Sequence, residues 1–262
     1  MRVGIEVVAH RGASDEEPEH SLAAYLLAVR QGADAIECDV RLTADGTLVL
    51  VHDRRIDRTS TGRGTVSSMT YEELSSFDYS RSADEWIDYE EPKPDETRTS
   101  VLTLRTLLAT MLDASPTVRF AIETKHPVRY GRYVEDSLAD MLTYFGLGRT
   151  NGAEPRARVM SFSRAAMRRM SELLPGTPTV YLMDDVPRRY RDGSLPEGIG
   201  IAGPSIEVLR EHPAYVERVH AQGNRIHVWT VDEPQDVRLC VRLGVDAIIT
   251  NRPANVLALL GR

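Results

Sequence analysis

The sequence predicts an α/β protein folded as a (β/α)8 TIM-like barrel, and three observations predict it. Apolar or β-branched runs alternate with helical patterns over nearly the whole chain, an order that implies parallel strands covered by helices. At 262 residues the chain has the length of one barrel domain with a small insertion. Polar residues able to do chemistry stand at the C-terminal ends of several strands: His10 and Arg11, Glu37 and Asp39, Glu123 and Lys125, Trp229. An open doubly wound sheet would also satisfy the strand count, but a barrel gathers strand ends of this kind at one face.

Taken in order, eight strands are expected: Ile5–Ala9, Ala35–Leu42, Arg119–Glu123, Arg158–Phe162, Thr179–Met183, Gly198–Ala202, Arg225–Val231 and Asp246–Thr250. Seven helices accompany them: Ser21–Gln31, Leu102–Asp113, Tyr133–Tyr144, Arg164–Leu174, Ile206–Gln222, Pro234–Leu243 and Ala254–Leu260. The piece after the fifth strand, Pro187–Ser194, is too short and polar for a convincing helix. From Asp53 to Ser100 the alternation stops. This stretch is polar and turn-rich, too long for an ordinary βα loop, and carries seven acidic residues between Asp84 and Glu96. It reads as an insertion at about 53–100, at the catalytic end, with small structure of its own around Tyr71–Phe77; its acidic half reads as a solvated loop.

Composition narrows the function classes. The net charge of -7 argues against a general nucleic-acid binder. Cys38 and Cys240 are far apart and in no CxxC arrangement, so no disulfide framework or cysteine metal site is expected, and a reducing cytoplasm fits. No run approaches 18 apolar residues and no secretory signal opens the chain, so the expectation is a cytoplasmic protein without integral membrane association. Nothing in the residues bears on oligomeric state.

Glu37 and Asp39 are two apart on a strand, so both side chains leave the same face, with about 7 Å between their Cα atoms. Two carboxylates on a barrel-interior face repel unless something positive lies between them. A divalent cation is the economical answer. Glu123 adds a third oxygen ligand from the next core strand, and oxygen-only ligation suits Mg2+ or Ca2+ better than zinc. Singly, each carboxylate could equally pair with Arg41, Lys125 or another cation; together, at strand ends, they favour a metal. Lys125 shares the face of Glu123, and Arg11 reaches in from the first strand. These three carboxylates, a divalent ion and two cations leave a pocket near +1, which a phosphodiester balances better than a phosphomonoester.

His10 and His52 end apolar runs beside these carboxylates and are the candidate acid and base. By position His126 and His227 fall near the site, whereas His20, His212 and His220 read as helical. Trp229 is either barrel filler or, at the upper rim, an apolar wall for the carbon part of a substrate. Asp246 and Asn251 need no special role.

With these residues in place, the chain resembles the glycerophosphodiester phosphodiesterase family. The resemblance rests on HRG with PEHS following, ECDVRLTADGTLVLVHD, DRTSTGRGTVSSMTYEEL, IETK and VWTVD, in order from Val8 to about Pro253. It implies a TIM-like barrel that uses a divalent metal to hydrolyse a glycerophosphodiester to glycerol 3-phosphate and an alcohol. Glu37, Asp39 and Glu123 fall on metal-ligand positions, His10 and His52 on the acid/base pair, and Arg11 and Lys125 on phosphate-binding positions. Glu19 matches the acidic member of the PENT motif, with an organising duty, while His20 and Ser21 replace its Asn and Thr. Ser21 still suits a helix N-cap; the change at His20 touches a supporting hydrogen bond. Two other readings stand beside this one: a lipid-directed phospholipase D, which needs a broad apolar mouth, and a non-catalytic barrel used for binding, which would be expected to have lost some of these residues.

Overall fold

The structure is a computed structural model that describes residues 4–80, 95–148 and 155–262. Its elements are, in chain order, β1 (Glu6–His10), α1 (Leu22–Gln31), β2 (Ala35–Leu42), β3 (Leu48–Leu50), α2 (Tyr71–Ser75), α3 (Glu96–Thr99), α4 (Leu104–Ala114), β4 (Arg119–Thr124), α5 (Tyr133–Tyr144), β5 (Ala157–Ser161), α6 (Arg164–Leu173), β6 (Thr179–Met183), β7 (Ile201–Pro204), α7 (Ile206–Glu211), α8 (Tyr215–Ala221), β8 (Arg225–Val228), α9 (Pro234–Leu243), β9 (Ala247–Thr250) and α10 (Pro253–Leu259). Every strand except β3 pairs in parallel with its neighbours, and β1 pairs with both β2 and β9, so eight strands close into a barrel. The open-sheet alternative is excluded by that closure.

Period-2 alternation sorts the strand residues into two cores. Val8, Ala35, Ala121, Met160, Val180, Leu182, Ile201, Ala247 and Ile249 fill the barrel interior, with Trp229 packed on them. The intervening residues, such as Val7, Ile36, Phe120, Ile122 and Val159, pack outward against the helices. The inward positions one layer below are polar: Arg158 and Arg119 share Glu6, at 3.1 and 3.0 Å, and His227 lines a cavity with them. One layer above stand His10, Glu37, Asp39 and Glu123. The barrel is thus an apolar plug with ionic layers at both ends.

Two elements differ from expectation for local reasons, while Pro187–Ser194, as expected, forms no full helix. The expected helix Ile206–Gln222 is two, α7 and α8, because Pro213 lacks the N–H that a continuous helix requires and the chain leaves helical geometry at His212. Pro187–Ser194 holds only a short 3-10 turn, Arg188–Tyr190. Leu48–Leu50 forms an antiparallel hairpin strand on the part of β2 that continues past the barrel rim, with Val40 opposite Leu50. Between β3 and α4, Val49, Val51, Ile56, Val66, Leu74 and Val101 form a small separate apolar cluster that holds this stretch down. The helix expected near Tyr71 is α2, closed by a capping box between Thr70 and Glu73. Of the acidic run, Asp95 and Glu96 open α3; its other members lie outside the described residues.

Candidate active site

Register assembles the site. Pairing sets His10 beside Glu37 and Asp39 beside Glu123, so residues distant in sequence meet at one level of the barrel. Carboxylate oxygens of Glu37, Asp39 and Glu123 all lie within 4.8 Å of one another, and all three residues are buried. Lys125 Nζ is 2.9 Å from Glu123 Oε1 and 3.5 Å from Asp39 Oδ1. Arg11 Nε is 3.1 Å from Asp39 Oδ2, and its backbone N–H donates to Glu37 Oε2 at 3.1 Å.

The turn that delivers Arg11 is tight. Arg11 has φ +57°, and at Gly12, φ +87°, a Cβ would lie 2.6 Å from Ala24 backbone and side-chain atoms, so only glycine fits there. The loop closes where His20 N–H donates to the Arg11 carbonyl at 3.0 Å. Glu19 then reaches back to Arg11 Nη1 at 3.2 Å and takes two bonds of 2.8 Å from Arg58. Burial pushes the Glu19 carboxyl up, but the Arg58 hydrogen bonds and the Arg11 charge outweigh it and bring it down to about 2.

The trio cannot hold three negative charges on cations alone. Burial and the neighbouring Asp39 push Glu123 up to about 8 and hold Glu37 well above the usual carboxylate range. Asp39 goes the other way: burial opposes its ionisation, but the His20 hydrogen bond, Lys125 and Arg11 prevail. Asp39 Oδ2 accepts from His20 and is ion-paired to Arg11, whereas buried Oδ1 has no hydrogen-bond partner, only the longer 3.5 Å approach of Lys125, and lies among the other carboxylates. An orphaned anionic oxygen beside two raised carboxyls is a donor set that fits a hard divalent cation.

The two expected acid/base histidines are held differently. Asn251 Nδ2 donates to Asp232 at 2.6 Å, so its Oδ1 is the acceptor for His10 Nδ1–H at 2.7 Å, and Nε2 of His10 is left without a proton. Burial, helped by Arg11, lowers His10 to about 3, which keeps it neutral. His52 lies at the mouth, with Nδ1 2.7 Å from Asp53 Oδ1, and Arg58 Nε donates to the other Asp53 oxygen at 2.6 Å. Burial lowers His52 as well, reinforced by Arg11 and Lys125 and opposed by Asp39 and Asp53. Trp229 sits at the rim, half-buried, its indole N–H bonded to the Gly203 carbonyl at 2.7 Å and its ring 5.5 Å edge-on from Phe162.

The structure brings together His10, Arg11, Glu19, Glu37, Asp39, His52, Glu123 and Lys125, with Trp229 above them. Three histidines lie elsewhere than expected. His20 is not helical: it precedes the α1 N-cap Ser21 at φ +62° and is buried against Asp39. His227 is at the opposite end of the barrel, because Trp229, two residues on, takes the upper position on that strand. His126 is turned to Glu135, 2.8 Å away. Asn251, which reads as featureless in sequence, orients His10; its place directly after the last barrel strand is the signal that could have found it. Arg58 and Phe162 also belong to the mouth, and nothing in their spacing marks them.

The model of the glycerophosphoryl diester phosphodiesterase family matches residues 10–255. The chain belongs to that family. A Mycobacterium tuberculosis protein named probable glycerophosphodiester phosphodiesterase 1 is 47% identical over 97% of this chain and 92% of its own length. A Bacillus subtilis glycerophosphodiester phosphodiesterase is 30% identical over 95% of this chain and 84% of its own length. Among solved structures, a family member from Parabacteroides distasonis superposes with a TM-score of 0.80 at 25% identity, covering 100% of this chain and 98% of that one.

Proposed function

We propose that this chain is a divalent-metal-dependent hydrolase of glycerophosphodiesters that releases glycerol 3-phosphate and an alcohol, with residues 1–262 as one barrel domain and 53–100 as its insertion. The observation that carries this reading is the convergence of Glu37, Asp39 and Glu123 between Arg11 and Lys125, with His10 and His52 beside them. Family membership and the names of the relatives support the same substrate class.

Glu37, Asp39 and Glu123 would hold Mg2+ or Ca2+, which when bound supplies charge stabilisation at the phosphoryl oxygens. Arg11 and Lys125 bind the remaining phosphate charge and gain most as it grows in the transition state. His10, neutral and with Nε2 bare, takes the proton of the nucleophile, whether water or the glycerol 2-hydroxyl of the substrate. His52, more exposed and backed by the Asp53 carboxylate, gives a proton to the leaving alkoxide; the Asp53–Arg58–Glu19 chain fixes its ring. An anionic diester on Arg11 and Lys125 offsets the two cations that hold His52 low. Trp229 and Phe162 wall the carbon part of the substrate.

A lipid-directed phospholipase D fits less well. The exposed large apolar side chains among the described residues, Tyr133, Tyr144, Phe162, Val241 and Leu259, are scattered over separate elements and form no broad mouth. Among those residues no helix is long and apolar enough to cross a membrane.

The test is glycerol 3-phosphate release from a panel of glycerophosphodiesters, with EDTA, Asp39→Asn and His52→Ala as controls. Release that EDTA and both variants abolish is expected. Full activity in EDTA would overturn the metal, an undiminished His52→Ala would overturn the acid, and choline release from lysophosphatidylcholine at a matching rate would favour the lipid reading.

A further inference from the structure

A cavity of about 240 Å³ opens beside the catalytic end, between the extended tip of β2, the 53–68 stretch and the loop from β4 to α5. Three guanidinium groups line it, Arg41, Arg54 and Arg129, and among the described residues no Asp or Glu does. Arg41 donates from Nη2 and Nε to the backbone carbonyl of His52 at 2.7 and 3.1 Å, so one wall of the cavity is bonded to the residue assigned to the leaving group. Arg129 bonds only neutral atoms, Ser68 Oγ and the Ser67 carbonyl. No carboxylate among the described residues forms an ion pair with any of the three. The outer wall is built: Tyr130 O–H donates to the Ser67 carbonyl at 2.7 Å, tying the 127–130 loop to the stretch opposite.

Asp39, Glu123 and Asp53 are near enough for their charges to act on Arg41, but clustered cations without a carboxylate in direct contact repel one another and attract an anion. On the near side of His52, Arg58 and Arg11 balance Asp53 and Glu19, which leaves this cavity as the cationic side of the mouth. We propose that it is a subsite for the departing alcohol of the diester and selects alcohols that carry a second anionic group, a carboxylate or a phosphate. The inference rests on the phosphodiesterase reading and adds to it the class of head group.

The test compares kcat/KM for two matched pairs by glycerol 3-phosphate release. Glycerophosphoserine differs from glycerophosphoethanolamine by a carboxylate, and glycerophosphoinositol 4-phosphate differs from glycerophosphoinositol by a phosphate. In at least one pair the more anionic member is preferred by about fivefold or more at low ionic strength, and the pair that shows it assigns the site to carboxylate or phosphate. That ratio falls towards one in about 0.5 M NaCl, where screening shortens the reach of the guanidinium charges, and in the Arg54→Ala/Arg129→Ala variant. Equal turnover within both pairs, or a preference that survives the double variant, would overturn the subsite while leaving the phosphodiesterase activity standing. No glycerol 3-phosphate from any of these diesters would overturn the activity itself.

Discussion

His20 Nε2 donates to Asp39 Oδ2 across 2.9 Å, and the same ring reaches Tyr25 through Nδ1 at 2.8 Å. With Arg11 also on Oδ2, only Oδ1 of Asp39 remains for a cation. Removing the His20 ring frees Asp39 to rotate, so His20→Ala is expected to weaken divalent-ion binding by about tenfold to a hundredfold. His20→Asn keeps a short donor and a residue tolerant of positive φ, and is expected to lose less. Calorimetric titration of the metal-free protein with Mn2+ or Mg2+ checks both; equal affinity in wild type and His20→Ala would refute the role.

The raised Glu123 carboxyl gives a second expectation. At about 8 it is protonated at pH 7 without metal, while a ligating carboxylate must be ionised. Metal binding at pH 7 should therefore release about one proton or more, and less as the pH rises through 8 to 9. Titrations in buffers of different ionisation enthalpy measure this, and Glu123→Gln should reduce it.

Asn251 presents its oxygen to His10 because Asp232 claims its amide nitrogen. Asn251→Ala removes the acceptor that fixes the His10 tautomer without touching any phosphate contact. A fall in kcat of about tenfold to a hundredfold with little change in KM is expected from steady-state kinetics.

At the other end of the barrel, burial and the nearby Arg158, Arg225 and Arg119 charges hold His227 well below its usual value. The unfolded chain takes up this proton near pH 6.5 and the folded one only far below. Stability is therefore complete above 6.5 and falls as the pH drops, by about 1.4 kcal/mol per pH unit from this group alone. Denaturant titrations from pH 7 to 5 should show His227→Gln with a shallower pH slope than wild type.

The barrel and the positions of the carboxylates were legible because period-2 alternation and strand-end placement are local properties of the sequence. Glu37, Asp39 and Glu123 come together because shared parity puts them on the inner face and strand-end placement puts them at one end of the barrel. The importance of His20 and Asn251 lies in tertiary partners that local pattern does not show: Asp39, which the loop after β1 brings His20 against, and His10, which Asn251 meets across the β1–β9 seam. His227 was misplaced because parity gives the face of a strand but not the height along it. The antiparallel β3 escaped because three apolar residues after a turn carry too short a pattern to count.

The hairpin of β2 and β3 carries a further consequence. Asp39 is not at a free strand end: β4 pairs it on one edge, and on the other its carbonyl accepts from Val51 N–H at 3.2 Å. Glu37, Asp39 and Glu123 are therefore set in continuous sheet, while the arginines beside the mouth come largely from loops. Such a division of labour makes the chain modular. Loop exchange between relatives can retune which alcohol is accepted without re-inventing the chemistry, so head-group preference is expected to diverge faster across the family than the hydrolytic step itself.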